Sequence, residues 1–260
     1  MDVAVIGRGA IGLTCAYKMS KVTNISLTIF GSRENKYAAS RAAGAMLNIV
    51  SEVDHFNSES SRVQWKLQQK PKLIRLWKSL MEQMMCDRLI RDSLLHGKGT
   101  EIIMDTESTN EVERASLKAM HEAFIQSRND KDSNEVNSGY ASQQRRFIIS
   151  DEQSVDAAAY LNALEGHLDS FAENIFNDVD SVFNSKDRWV VRDSNGYERS
   201  FEFIILCAGA WSQDILDRSP DVCKSTIRGS YNGVGSALML QSEVEYSTNP
   251  TLDRIYRTPN

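Results

Sequence analysis

Six residues near the amino terminus restrict the fold more than anything that follows. Gly7-Arg8-Gly9-Ala10-Ile11-Gly12 is a GxGxxG run, and its flanks decide what it means. Val3, Val5 and Ile6 form a short apolar stretch that reads as a buried strand over 2–6. Leu13, Ala16 and Tyr17 then recur at helical spacing and predict a helix over 10–21, while the alternation over 25–30 predicts a second strand. Strand, glycine turn, helix and strand thus fit within the first 30 residues, as in a nucleotide-binding βαβ unit. Each glycine meets a separate demand. The first permits a tight turn, the second lets main chain approach a diphosphate, and the third lets helix and strand pack closely. The helix start adds N–H groups and the positive end of its dipole. Gly7, Gly9, Ala10, Ile11 and Gly12 are therefore assigned to a dinucleotide.

Which dinucleotide is less direct. Such units usually end their second strand with an acid about 20 residues on, which binds ribose hydroxyls. Here Phe30 is followed by Gly31-Ser32-Arg33-Glu34, and the acid is missing from its expected place. A small residue followed by a cation suits the 2′-phosphate of NADP, so an NADP-dependent dehydrogenase is one reading. Equally, Ser32 bonds a ribose hydroxyl and Arg33 lies over the adenine or a phosphate. Glu34 reads either as a reach toward the ribose or as a solvated surface charge.

The texture changes further on. Over 58–95, apolar positions such as Val63, Leu67, Ile74, Trp77, Met81 and Met84 recur as in amphipathic helices, with Pro71 marking a break or fresh start. A helix is predicted over 111–126, and the polar run 128–144 reads as an exposed loop. A strand is expected over 147–149. Ser154 is placed as the cap of a helix holding Ala157, Tyr160, Leu161 and Leu164. Strands are expected over 175–183, 189–191 and 201–206, the last two joined as a hairpin by Ser194-Asn195-Gly196.

Composition removes several classes of function. The chain has 260 residues, 41% of them apolar, and 30 Lys+Arg stand against 35 Asp+Glu for a net charge of −5. That mild acidity argues against a nucleic-acid binder, which needs concentrated cation to displace counterions. No apolar run approaches the roughly 20 residues that span a bilayer. The four cysteines, Cys15, Cys86, Cys207 and Cys223, lie far apart without zinc spacing and read as reduced thiols. With no secretory pattern before Val3, the expected location is the cytoplasm. His55, His96, His121 and His167 are scattered and read as surface or capping residues, and no Ser-His-Asp, Cys-His or paired-carboxylate arrangement stands out.

Two more segments bear on the dinucleotide. Ala39-Ser40-Arg41-Ala42-Ala43-Gly44-Ala45-Met46-Leu47 follows the second strand, and Phe203-Ile204-Ile205-Leu206-Cys207-Ala208-Gly209-Ala210-Trp211-Ser212 comes late in the chain. Together with the amino-terminal turn, they resemble the flavoprotein family of D-amino-acid oxidase, glycine oxidase and sarcosine oxidase. Ser154-Val155-Asp156-Ala157 echoes that family's R-V-D-P helix start without its proline, and Ile227-Arg228-Gly229 its later -RG-.

The resemblance implies an α/β fold in two discontinuous parts. Residues 1–48 and 147–222 would form a Rossmann-like FAD-binding domain, and 49–146 with 223–260 an incomplete α+β substrate domain. It implies FAD as cofactor, held by the glycine turn, by Ser32 and Arg33, and by Ser40 and Arg41 on the diphosphate side. Ala42, Ala43 and Gly44 would pass close to the flavin ring, Val179 would meet the adenine through its backbone, the turn at Ala208 and Gly209 would form a second close approach, and Met46 and Trp211 would be further cofactor contacts. The chemistry implied is oxidation of a small amine or amino acid by hydride transfer to flavin, the cofactor doing the difficult step. A substrate carboxylate calls for an arginine fork, for which Arg228 is the candidate. Family members are longer at the carboxyl terminus. The chain is therefore expected to be either a fragment, with a sheet edge exposed and flavin bound weakly, or a complete protein whose edge a second copy or partner covers, and a catalytically inactive flavoprotein fragment is a further alternative.

Overall fold

A computed structural model describes residues 1–33, 39–42, 46–47, 49–89, 95–96, 99–105, 110–127, 144–220 and 255–257. The first elements are β1 (Asp2–Ile6), α1 (Ala10–Met19), β2 (Ser26–Phe30), α2 (Ala39–Ala42) and β3 (Met46–Leu47). They are followed by α3 (Ser61–Cys86), β4 (Leu95–His96), β5 (Thr100–Asp105), α4 (Glu111–Gln126), β6 (Gln144–Ile149) and β7 (Gln153–Val155). Then come α5 (Ala157–Leu168), β8 (Glu173–Ile175), β9 (Val179–Ser185), β10 (Arg188–Asp193) and β11 (Glu198–Phe201). β12 (Phe203–Leu206), a short 3-10 turn (Gly209–Trp211), α6 (Ser212–Asp217) and β13 (Ile255–Arg257) complete the set. The chain divides into two compact units, Met1–Ala43 with Ala157–Met239 and Gly44–Asp156 with Leu240–Asn260.

The first unit is built on a four-stranded parallel sheet in the order β12-β1-β2-β8. Val3, Ala4, Val5 and Ile6 are all buried, because both faces of β1 are covered. Helix α1 packs on β1 and β2, and α5 packs on α1. Ala4, Ile6 and Phe30 meet Val179, Val182, Val191 and Phe201 in one cluster, so the antiparallel sheet β11-β10-β9 joins the other side of that core. Chain direction in the parallel sheet brings the ends of β1, β2, β8 and β12 to one edge, where open α/β sheets bind ligands.

The second unit holds two smaller sheets, β13-β5-β6 and β3-β7-β4. Its core gathers Val50, Val53, Leu67, Ile102, Leu117, Met120, Phe124 and Ile149. Asn110 caps α4, its side-chain oxygen accepting from the N–H groups of Val112 at 3.0 Å and Glu113 at 3.3 Å.

Several expectations change at this level. Helix α3 runs unbroken through Pro71. The proline removes one N–H bond, while burial of Leu67, Lys70, Met81 and Met84 holds turns on both sides of it. Ser154 does not cap α5: it lies in β7, paired with Met46 and His96, and the helix starts at Ala157. The stretch expected as one strand over 175–183 is two, since β8 ends at Ile175 beside β2 and β9 begins at Val179. The β10–β11 hairpin forms, but its second strand stops at Phe201, and β12 leaves to pair with β1. A further hairpin joins β9 and β10 through Lys186 and Asp187, both left-handed at φ 49° and 70°. That turn carries no Asn-Gly signal. Of the polar run 128–144, Gln144 opens β6, while residues 128–143 lie outside the described residues, as does Cys223.

Candidate cofactor site

The parallel sheet's edge is closed by three main-chain hydrogen bonds. Cys207 N–H donates to Ile6 O at 2.7 Å, Gly7 N–H to Phe30 O at 3.0 Å, and Gly31 N–H to Ile175 O at 3.0 Å. These bonds align the ends of β12, β1, β2 and β8 and fix where the glycine turn emerges.

Gly7 has φ +116°, and a Cβ there would stand 2.2 Å from Cys207 O. At Gly12 a Cβ would stand 2.0 Å from Gly7 O, so only glycine lets α1 pack this close to the turn. Gly9 differs from both. The nearest atom to its Cβ direction is the Ser40 hydroxyl at 3.1 Å, and its own geometry (φ −85°) is open to any residue. Its glycine therefore leaves room for a ligand, which the strand–turn packing does not require. As the cap of α1, Gly9 brings no side-chain acceptor, and the first-turn N–H groups of Ile11 and Gly12 have no partner within the helix. Ala10 N–H donates to Ser40 Oγ at 3.0 Å, which places α2 at the start of α1. Ile11 is 72% exposed there.

The other expected residues are distributed as follows. Ala208 caps the short turn after β12, and nothing lies within 4 Å of a Cβ at Gly209. Trp211 is half exposed, and Val179 is buried at the start of β9. Ser32 and Arg33 follow β2 and Gly31. Arg33 pairs with Asp169 and reaches Glu165 at 3.3 Å. Arg41 in α2 donates to Glu165 Oε1 at 3.2 Å and to Asn162 at 3.4 Å, so its guanidinium is turned to α5. Ala42 ends α2, Met46 belongs to β3 of the second unit, and Ala43, Gly44 and Arg228 lie outside the described residues.

Two residues at this edge escaped the sequence reading. Arg8, inside the glycine motif, is 7% exposed. It donates to Asn174 Oδ1 at 2.8 Å, comes within 3.6 Å of Glu165 and lies over the Phe176 ring. Glu165 is 5% exposed. The legible signal was its register: in α5 it falls on the same stripe as Leu161, Leu164 and Leu168, where an acid is out of place.

The site fits a dinucleotide. Uncapped N–H groups stand at the start of α1, Gly9 leaves space beside them, and buried guanidinium nitrogens lie next to the turn. Over residues 2–253 the chain matches the DAO family of FAD-dependent oxidoreductases, and it belongs to that family.

Its cofactor is FAD, which removes the NADP reading of Ser32 and Arg33. No curated protein matches. Among solved structures, glycine oxidase from Bacillus cereus ATCC 14579 is 19% identical with a TM-score of 0.59, over 83% of this chain and 57% of that one. Iminodiacetate oxidase from Chelativorans sp. BNC1 is 17% identical, with the same TM-score and the same shares covered. FAD-bound L-α-glycerophosphate oxidase from Mycoplasma pneumoniae is 16% identical, with a TM-score of 0.56, over 84% of this chain and 56% of that one. The chain thus spans little more than half the length of these structures, which share its fold. No helix among the described residues is long and apolar enough to cross a membrane.

Proposed function

We propose that this chain is an oxidoreductase that oxidises the C–N bond of a small amine or amino acid, with FAD lying across the carboxyl edge of its parallel sheet. In this reading the first unit is the FAD-binding domain and the second contributes to the substrate domain. The glycine turn and the start of α1 receive the diphosphate, with the Ser40 hydroxyl beside them. Gly209 offers a second place where main chain meets the cofactor closely. When bound, FAD supplies the hydride acceptor. Arg228 is the candidate fork for a substrate carboxylate.

The observation that carries the reading is the start of α1, where Gly9 leaves room and the N–H groups of Ile11 and Gly12 have no partner within the helix, in a family that uses FAD. The choice of a C–N bond is supported by neighbours named for glycine and iminodiacetate. The test is anaerobic reduction of the flavin-loaded protein by a panel of amino acids, secondary amines and glycerol phosphate. Bleaching of the flavin spectrum by at least one nitrogen compound is expected. Bleaching by glycerol phosphate alone, or by none of them, would overturn the proposal.

A further inference from the structure

We propose that Arg8 and Glu165 anchor the adenosine-phosphate half of the cofactor, in place of the acid missing after β2. The inference rests on the FAD reading and names residues that the glycine motif does not specify.

Glycine-turn dinucleotide folds set a carboxylate at the end of the second strand to receive ribose hydroxyls. Here that position holds Ser32 and Arg33. A carboxylate nevertheless reaches the same edge from helix α5. The Glu165 side chain is 7% exposed, with Arg8 Nε at 3.6 Å, Arg33 Nε at 3.3 Å and Arg41 Nη2 at 3.2 Å. Of these, only the Arg41 contact is a hydrogen bond, and neither Nε has a hydrogen-bond partner. A carboxylate offers about four lone-pair sites, so Glu165 retains unused acceptor capacity.

Arg8 shows the complementary deficit. Its side chain is 3% exposed, and Nη1 donates to Asn174, but Nε and Nη2 are buried without an acceptor. Burial pushes its pKa down, Glu165 opposes that shift, and the neighbouring Arg33 adds to it. A guanidinium withdrawn from water with donors unmet is costly, and an anion at the vacant donors relieves that cost. Three guanidiniums face the carboxylates of Glu165 and Asp169, leaving excess positive charge. The Phe176 ring, 5.1 Å from Arg8 and 5.0 Å from Arg33, holds both side chains at the ends of β1 and β2. Unmet cationic donors beside a carboxylate with free lone pairs match a phosphate next to a ribose.

The experiment measures binding of FAD, ADP, 2′,3′-dideoxy-ADP and adenosine to the full chain by calorimetry. The wild-type chain is expected to bind ADP at least tenfold more tightly than the dideoxy analogue. Arg8→Leu should weaken FAD and ADP tenfold or more and leave adenosine unchanged. Glu165→Gln should abolish the preference for the ribose hydroxyls. Arg8→Lys keeps the charge and serves if the leucine variant does not fold, with an intermediate ADP affinity expected. Wild-type ADP affinity and hydroxyl preference in the Arg8 and Glu165 variants would overturn the inference while leaving the FAD reading intact. A wild-type chain that binds neither FAD nor ADP would overturn both.

Discussion

The carboxylate of Glu152 holds Ser51 twice, accepting its main-chain N–H at 3.2 Å on one oxygen and its hydroxyl at 2.7 Å on the other. The first oxygen also accepts the N–H groups of Ile49 and Val50, at 2.9 and 2.7 Å. Glu152 is 1% exposed, and the Val50 and Ser51 donors are buried with it, so no water replaces the carboxylate there. At about 1–3 kcal/mol for each buried donor left unmet, with part recovered by relaxation, Glu152→Ala should cost about 3–5 kcal/mol. A urea midpoint unchanged from wild type would contradict this account of the 49–51 segment.

Two glycines of one motif should behave differently. Gly12→Ala sets a Cβ against Gly7 O and should lower the melting temperature of the cofactor-free protein. Gly9→Ala meets only the Ser40 hydroxyl at 3.1 Å, so its stability should stay within about 1 kcal/mol of wild type. Its FAD affinity should nevertheless fall at least tenfold. Parallel melting curves and flavin titrations separate the two effects. Equal destabilisation by both would remove the distinction drawn between packing and ligand approach.

Burial raises the Cys207 thiol to about 11, with Cys15 adding to the shift, whereas Cys86 is exposed. Only the thiolate reacts, and at pH 8 roughly 0.1% of a group with that pKa is ionised. Alkylation of the native protein at pH 8, followed by peptide mass mapping, should therefore label Cys86 well before Cys207. Raising the pH toward 10 should speed Cys207 about tenfold per unit, provided the fold persists. Similar rates at pH 8 in the native state would refute the burial argument.

Pro71 sits inside α3, where proline costs about 3 kcal/mol relative to alanine in a helix interior. Pro71→Ala restores a donor to the helix ladder and should raise stability by about 1–3 kcal/mol. Thermal melting checks this. A loss of stability would show that the proline ring's own packing outweighs the missing hydrogen bond.

Pro71 also shows where sequence reading stops. A proline penalty is local, but the helix persists because Leu67, Met81 and Met84 are buried on a face that the sequence does not weigh against it. The opening βαβ unit was legible because its signals are local: an apolar run, three glycines and a helical repeat within a few turns. Ser154 carries the right chemistry for a cap, yet its pairing with Met46 and His96 depends on distant strands. The Lys186-Asp187 turn is imposed by the hairpin around it, without a glycine at either left-handed position. At the cofactor edge the glycines were readable from their spacing. The grouping of Arg8, Arg33 and Arg41 around Glu165 was not, since it joins four segments that meet only after folding.

The hydrogen bonds that close the sheet edge also impose an order on assembly. Val3 pairs with Phe203, so the first strand synthesised remains without one neighbour until nearly the last described one emerges. Loop closure over such a separation is slow. On a ribosome, β1 gains its second neighbour only at that late docking step, and the turn at Gly7, packed against Cys207, closes with it.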